Sequence, residues 1–176
     1  MADVHHHEAP QRSGSVAEIK DALYREVAAQ IASLLGDEPQ PVARMASIAC
    51  LLAQAFDHFF WTGFYCVDPA DPDTLVVGPY RGTPGCLRIA FGRGVCGTAA
   101  AERRTQIVPN VHEFPGHIAC DSRSNSEIVV PVINRAGRLL GVLDVDSTAF
   151  HAFDETDARW LERILADAFA DCESLL

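Results

Sequence analysis

Apolar residues recur every three or four positions between Ser15 and Leu35, at Val16, Ile19, Leu23, Val27, Ile31 and Leu34, the spacing that lines one face of a helix. Ser15 is placed to cap that helix, with Glu18 three residues on, and Gly36 to stop it. After the polar turn GDEPQP, a second helix is predicted from Pro41 to Asp57, with Val42, Met45, Ile48, Leu51, Leu52 and Phe56 inward. The period then shortens. FFWTGFYCV, TLVVGPY, LRIAF, TQIVPNV, EIVVPVIN and RLLGVLDVDS are short, apolar or alternating segments parted by Pro, Gly, Asp and Asn, which is how strands read. The last two join through NRAG, a tight hairpin turn with a glycine free to adopt positive φ. GVCGTAAAERR is helix-like, HEFPGHIACDSRSNS is loop, and a closing helix runs from Asp154 to Leu175 with Trp160, Leu161, Ile164, Leu165 and Phe169 at helical spacing. Two helices, sequential strands and one helix predict an α+β domain, an antiparallel sheet with helices packed on one face. Residues 1–15 are polar, with Pro, Gly and three histidines, and are expected to be a disordered leader to a single domain spanning 16–176.

Composition narrows the function classes. A chain of 176 residues, 48% hydrophobic and 22% charged, can bury one substantial core. Its net charge of −10 argues against an electrostatic nucleic-acid binder. No apolar stretch approaches the roughly 20 residues of a membrane span, and no secretory signal pattern opens the chain. A cytoplasmic protein is the expectation. In a reducing compartment the six cysteines, at 50, 66, 86, 96, 120 and 172, do not read as a disulfide framework. They are core thiols, metal ligands or redox groups. There is no CxxC and no HExxH, and His112, His117 and Cys120 are too scattered to make a zinc signature, so no metal is expected.

Three segments carry unusual residues. GTPGCLRIAFGRGVCGTAA holds Cys86 and Cys96, the second where a glycine-rich loop enters a helix. A helix N-terminus lowers a thiol pKa, which would make Cys96 reactive, whereas burial would leave both cysteines inert. In PGHIACDSRSNSE, Cys120 lies among small and polar residues. His117 would depress its pKa and Asp121 and Glu127 would raise it, so the sequence leaves its ionisation open. In GVLDVDS, Asp144 and Asp146 share a face of a strand. They either run into solvent or, with Glu127 on the neighbouring hairpin strand, surround a pocket able to hold an ammonium group and donate a proton. Trp61 and Tyr65 share one face of a strand, as core or as an aromatic wall.

Together W-x-G-F-Y at Trp61–Tyr65, GRGVCGTAA, VPNVHEFPGHIACDSRSNSEIVVP and GVLDVDS closely resemble the free methionine-R-sulfoxide reductase family, built on a GAF domain. The likeness runs from about Trp61 to Phe169. It implies a central antiparallel sheet of about six strands, and free methionine-R-sulfoxide as substrate. Cys120 matches the attacking thiol, Cys86 the resolving one that closes a disulfide with it, and Cys96 a third that assists. Glu127, Asp144 and Asp146 match the acidic pocket for the substrate's ammonium and sulfoxide oxygen, and Trp61 and Tyr65 the wall around its methyl group. Thioredoxin is implied as external reductant, with no bound cofactor, and a homodimer is common in the family. Cys50, Cys66 and Cys172 fall outside the motifs and are assigned to packing.

Two other readings compete. A GAF domain also serves as a ligand-binding signalling module, but such a module needs no clustered thiols. A redox sensor would use Cys86 and Cys120 but has no call for aligned Glu127, Asp144 and Asp146. Sulfoxide reduction uses all of them: a nucleophilic thiol, an acid for the oxygen and a second thiol to discharge the sulfenic acid.

Overall fold

The capping box forms as the sequence dictates. Ser15 Oγ accepts from the Glu18 backbone N–H and the Glu18 carboxylate accepts from the Ser15 N–H, opening α1 (Val16–Leu35). The computed structural model describes residues 15–118 and 120–176, so the expected leader lies outside the described residues apart from Ser15. Pro41 begins α2 (Pro41–Ala55), its fixed φ suited to a first helical turn. There follow β1 (Trp61–Asp68), β2 (Asp71–Arg81), β3 (Arg88–Ala90), α3 (Gly94–Glu102), β4 (Gln106–Val108), β5 (Ser126–Ile133), β6 (Leu139–Ser147) and α4 (Glu155–Phe169). The strands form one six-stranded antiparallel sheet in the order β3-β2-β1-β6-β5-β4.

Alternation along the central strands sorts side chains into two cores. Phe64, Cys66, Ile128, Val130, Leu143 and Val145 face α1, α2 and α4, with Tyr24, Met45, Leu52 and Leu161 among their partners. Each large apolar side chain buried there is worth about 1.5–3 kcal/mol. α1 is tied to α4 through Asp157, wholly buried, which accepts from Tyr24 Oη at 2.8 Å and Lys20 Nζ at 2.7 Å. The opposite face carries Trp61, Tyr65, Val129 and Val142, and against it packs α3.

Three expectations need adjusting. The three long helices cover one face as expected, but α3 lies on the other. Its Val95, Cys96, Ala99 and Ala100 are buried, so it is an apolar element needing cover of its own. Gly97 allows the close approach, because a Cβ there would stand 2.3 Å from the Ala90 carbonyl oxygen. β2 begins three residues before the predicted Thr74, since Asp71 pairs with Asp68 across a tight turn although residues 71–73 are exposed. α4 stops at Phe169 rather than Leu175. Beyond it the chain turns back, and the buried amide of Asn134 donates to the Cys172 carbonyl.

Candidate functional site

The second face of the sheet carries the polar residues that interrupt the strands. Asp146 pairs with Trp61 on one side and Glu127 on the other; one row along, Asp144 pairs with Gly63 and Val129. Because β5 and β6 are neighbours, the two-residue alternation that aligns Asp144 with Asp146 also brings Glu127 beside them. Gly63 leaves room for the aromatic wall: a Cβ there would lie 2.2 Å from Tyr80 Cβ and 2.7 Å from Trp61 Cη2. The Trp61 ring stacks on Tyr65 and Tyr80 at centroid distances of 5.8 and 5.1 Å. Its indole Nε1 donates to the Thr83 carbonyl at 2.9 Å.

Over this floor close two loops, each carrying a cysteine. Cys86 and Cys120 are joined in a disulfide with Cα atoms 5.7 Å apart, within the ordinary span for such a bond. The loops are latched beside it. Thr83 Oγ1 donates to Asp121 Oδ2 at 2.7 Å, and Arg123 grips the same carboxylate through Nε and Nη2. These bonds hold the Asp121 carboxyl well below the usual carboxylate range. Arg123 in turn lies 4.6 Å over the Phe60 ring, a cation–π placement. The cavity beneath is lined by Trp61, Tyr65, Cys96, Cys120, Glu127, Asp144 and Asp146, with His117, Ile118 and Ser124 at its sides. Cys86 reaches it through its bond to Cys120. All eight residues singled out in the sequence therefore converge on one site.

The electrostatics are those of carboxyls out of water. Glu127 and Asp144 are 5% and 6% exposed, and burial pushes both well up, reinforced by Asp144 and Asp146 at Glu127 and by Asp146 at Asp144, where hydrogen bonds from Cys96 and Glu127 partly offset it. Two carboxyls so placed resist ionising together, because the charge on one disfavours a charge on the other. Asp146 is pushed up to about 6 by burial, although a hydrogen bond from Ser124 partly offsets this and Asp121 adds to it. Burial likewise keeps the Tyr65 phenol protonated. One oxygen, Asp144 Oδ1, is buried and has no hydrogen-bond partner, a costly state for a polar atom unless a ligand completes it.

Of the two alternatives for Cys96, the buried one holds. The residue occupies the third position of α3, where the helix N-terminus favours a thiolate. Burial dominates, and Asp144 and Glu127 add to it, so its pKa is raised well above the ordinary value. Cys96 is a protonated thiol, its Sγ 4.0 Å from Glu127 Oε1. His117, three residues before Cys120, places its Nε2 3.7 Å from Glu127 Oε2. Burial, followed by the charge of His112, lowers its pKa. Of the cysteines assigned to packing, Cys66 is buried and its thiol is pushed up to about 12, Cys172 is buried, and Cys50 is only partly covered. Thr83, Arg123 and Ser124 were missed as site residues. Their one sequence signal is adjacency to Cys86, Cys120 and Glu127, which gives no hint that their side chains meet.

A profile of the GAF domain matches residues 39–169. Over 146 residues the chain is 47% identical to GAF domain-containing protein A of Dictyostelium discoideum, covering 83% of this chain and 90% of that protein. It is 41% identical to the free methionine-R-sulfoxide reductase of Escherichia coli over 147 residues, 84% of this chain and 87% of that one. The X-ray structure of free methionine-R-sulfoxide reductase from Neisseria meningitidis in complex with its substrate superimposes with a TM-score of 0.81 at 49% identity, covering 92% of this chain and 95% of that one.

Proposed function

The chain belongs to the GAF-domain family, among its free methionine-R-sulfoxide reductases, and from that premise we propose that it reduces free L-methionine-(R)-sulfoxide to methionine with Cys120 as the attacking thiol. The observation that carries the reading is the convergence of Cys120, bonded to Cys86, with Glu127, Asp144, Asp146 and the Trp61–Tyr65 wall on one cavity. A signalling module would need the cavity but not the paired thiols. A redox switch would need the thiols but not three carboxyls behind them.

The chemistry follows from these groups. The Cys120 thiolate attacks the sulfoxide sulfur while a protonated carboxyl, Glu127 in this assignment, donates to the sulfoxide oxygen. The oxygen ends on the Cys120 sulfur as a sulfenic acid and methionine leaves; the sulfoxide gains the two electrons that the thiol loses. The Cys86 thiol then attacks the sulfenic sulfur, water departs, and the disulfide forms. The thioredoxin dithiol reduces that bond and is itself oxidised, so the cycle uses no bound cofactor. Asp144 and Asp146 accept from the substrate's ammonium, and Trp61 and Tyr65 enclose its methyl group.

The test is thioredoxin-coupled NADPH oxidation with free methionine-R-sulfoxide, free methionine-S-sulfoxide and a peptide-bound sulfoxide in parallel. Turnover of the free R form alone supports the proposal. No turnover of any of them by folded protein would shift the function to ligand binding or redox sensing.

Two predictions belong to the same cycle. Cys86→Ser should leave the first reduction intact, with one methionine released per chain, and stop thioredoxin-dependent turnover except for what Cys96 rescues. Equal multiple-turnover rates with and without Cys86 would remove it from recycling. Asp146 gives the pH prediction. Its carboxyl is charged above about 6, so its hold on an ammonium is present at pH 7.5 and lost as pH falls through that value. kcat/KM should drop on that limb, which in Asp146→Asn should be weakened; an identical limb in the variant would exclude Asp146 as its origin.

A further inference from the structure

We propose that the floor of the cavity is also a binding site for a borderline-soft divalent cation of the Zn2+ class, held by Cys96, Glu127 and Asp144. One donor atom from each of the three lies within 4.8 Å of the other two, and all three residues are buried. Around a tetrahedral ion with bonds of about 2.0–2.3 Å, donor atoms sit roughly 3.3–3.7 Å apart. The observed 4.0 Å between Cys96 Sγ and Glu127 Oε1 needs to contract by only a few tenths of an ångström. The second, independent observation is Asp144 Oδ1, a carboxylate oxygen on the cavity lining, buried and without a hydrogen-bond partner. A bound cation supplies what that atom lacks. His117 Nε2, 3.7 Å from the other Glu127 oxygen, is at hand as a fourth donor.

The donor set selects the ion. Mg2+ and Ca2+ take oxygen ligands almost exclusively, whereas thiolate, carboxylate and imidazole together suit Zn2+. Coordination makes Cys96 a thiolate and releases its proton to the buffer. The site differs from a metal cofactor: it uses carboxyls assigned above to the substrate, so the ion and the sulfoxide exclude one another. Binding itself rests on the donors alone; the consequence for turnover rests on the proposed function.

The two are separable by experiment. The chain with its Cys86–Cys120 disulfide intact, free of reductant, is titrated with Co2+ as an optical stand-in, and then with Zn2+ in competition. In this state Cys96 is the remaining thiol of the cavity. The expected result is one equivalent bound, with a thiolate-to-cobalt charge-transfer band in the near ultraviolet that Zn2+ abolishes and Mg2+ does not. Cys96→Ser should remove the band, and Glu127→Gln should weaken Zn2+ by more than about tenfold. Absence of the band, or the same band and affinity in Cys96→Ser, as metal on the partly covered Cys50 would give, overturns the site. In this same disulfide-bonded state, which cannot reduce it, free methionine-R-sulfoxide should raise the apparent Kd for Zn2+. Band and stoichiometry without that competition would retain the metal site and refute its overlap with the substrate.

Discussion

Cys120→Ser is expected to lower reduction of free methionine-R-sulfoxide by more than about a thousandfold while leaving the fold in place. The size of the loss follows from the lack of a substitute nucleophile. Cys96 lines the same cavity, but burial and two carboxyls keep its thiol protonated, and a protonated thiol is a poor nucleophile. Cys86 sits on the opposing loop, outside the lining of the cavity and bonded to Cys120. The fold should survive because Cys120 is exposed and is a member of neither core. The Thr83–Asp121 bond still latches its loop to that of Cys86. Thioredoxin-coupled turnover beside a far-ultraviolet circular dichroism spectrum checks both halves. Near-normal turnover would move the attack to another sulfur, and a lost spectrum would show that the disulfide supports the fold.

Much of this site was legible because its logic is periodic. Asp144 and Asp146 stand two apart, Trp61 and Tyr65 four apart, and a hairpin turn at NRAG fixes β5 against β6, so a side-chain period of two already places Glu127 near the aspartates. The helices were legible for the same reason, down to the Ser15–Glu18 box. What was not legible depends on burial and on pairings between loops. The position of Cys96 at the start of α3 argues for a reactive thiolate. Only the packing of α3 onto the acidic face, with Gly97 against the Ala90 carbonyl, shows that desolvation wins. That α3 lies opposite the other helices could not be read from its composition, which is apolar all round. Nor does the sequence reveal that Thr83 and Asp121, 38 residues apart, meet beside the disulfide.

Glu127→Gln should lower kcat by about a hundredfold to ten-thousandfold, the range a general acid supplies, with a smaller effect on KM. The substitution keeps the shape of the side chain and its ability to donate a hydrogen bond to Asp144. It removes the transferable proton. Glu127 is 5% exposed and its pKa is raised first by burial and then by Asp144 and Asp146, so it keeps its proton to higher pH than an ordinary carboxyl and is suited to donate it. A neutral amide is buried there at no greater cost than the protonated acid it replaces, so Tm should not fall, and a lost rate cannot then be ascribed to a damaged fold. The split between constants separates the roles: Asp146→Asn should act mainly on KM through the ammonium, Glu127→Gln mainly on kcat through the oxygen. If Glu127→Gln instead raises KM and spares kcat, Glu127 holds the substrate with the aspartates. The proton for the sulfoxide oxygen must then come from Asp144, the other carboxyl whose pKa burial raises well above the ordinary value.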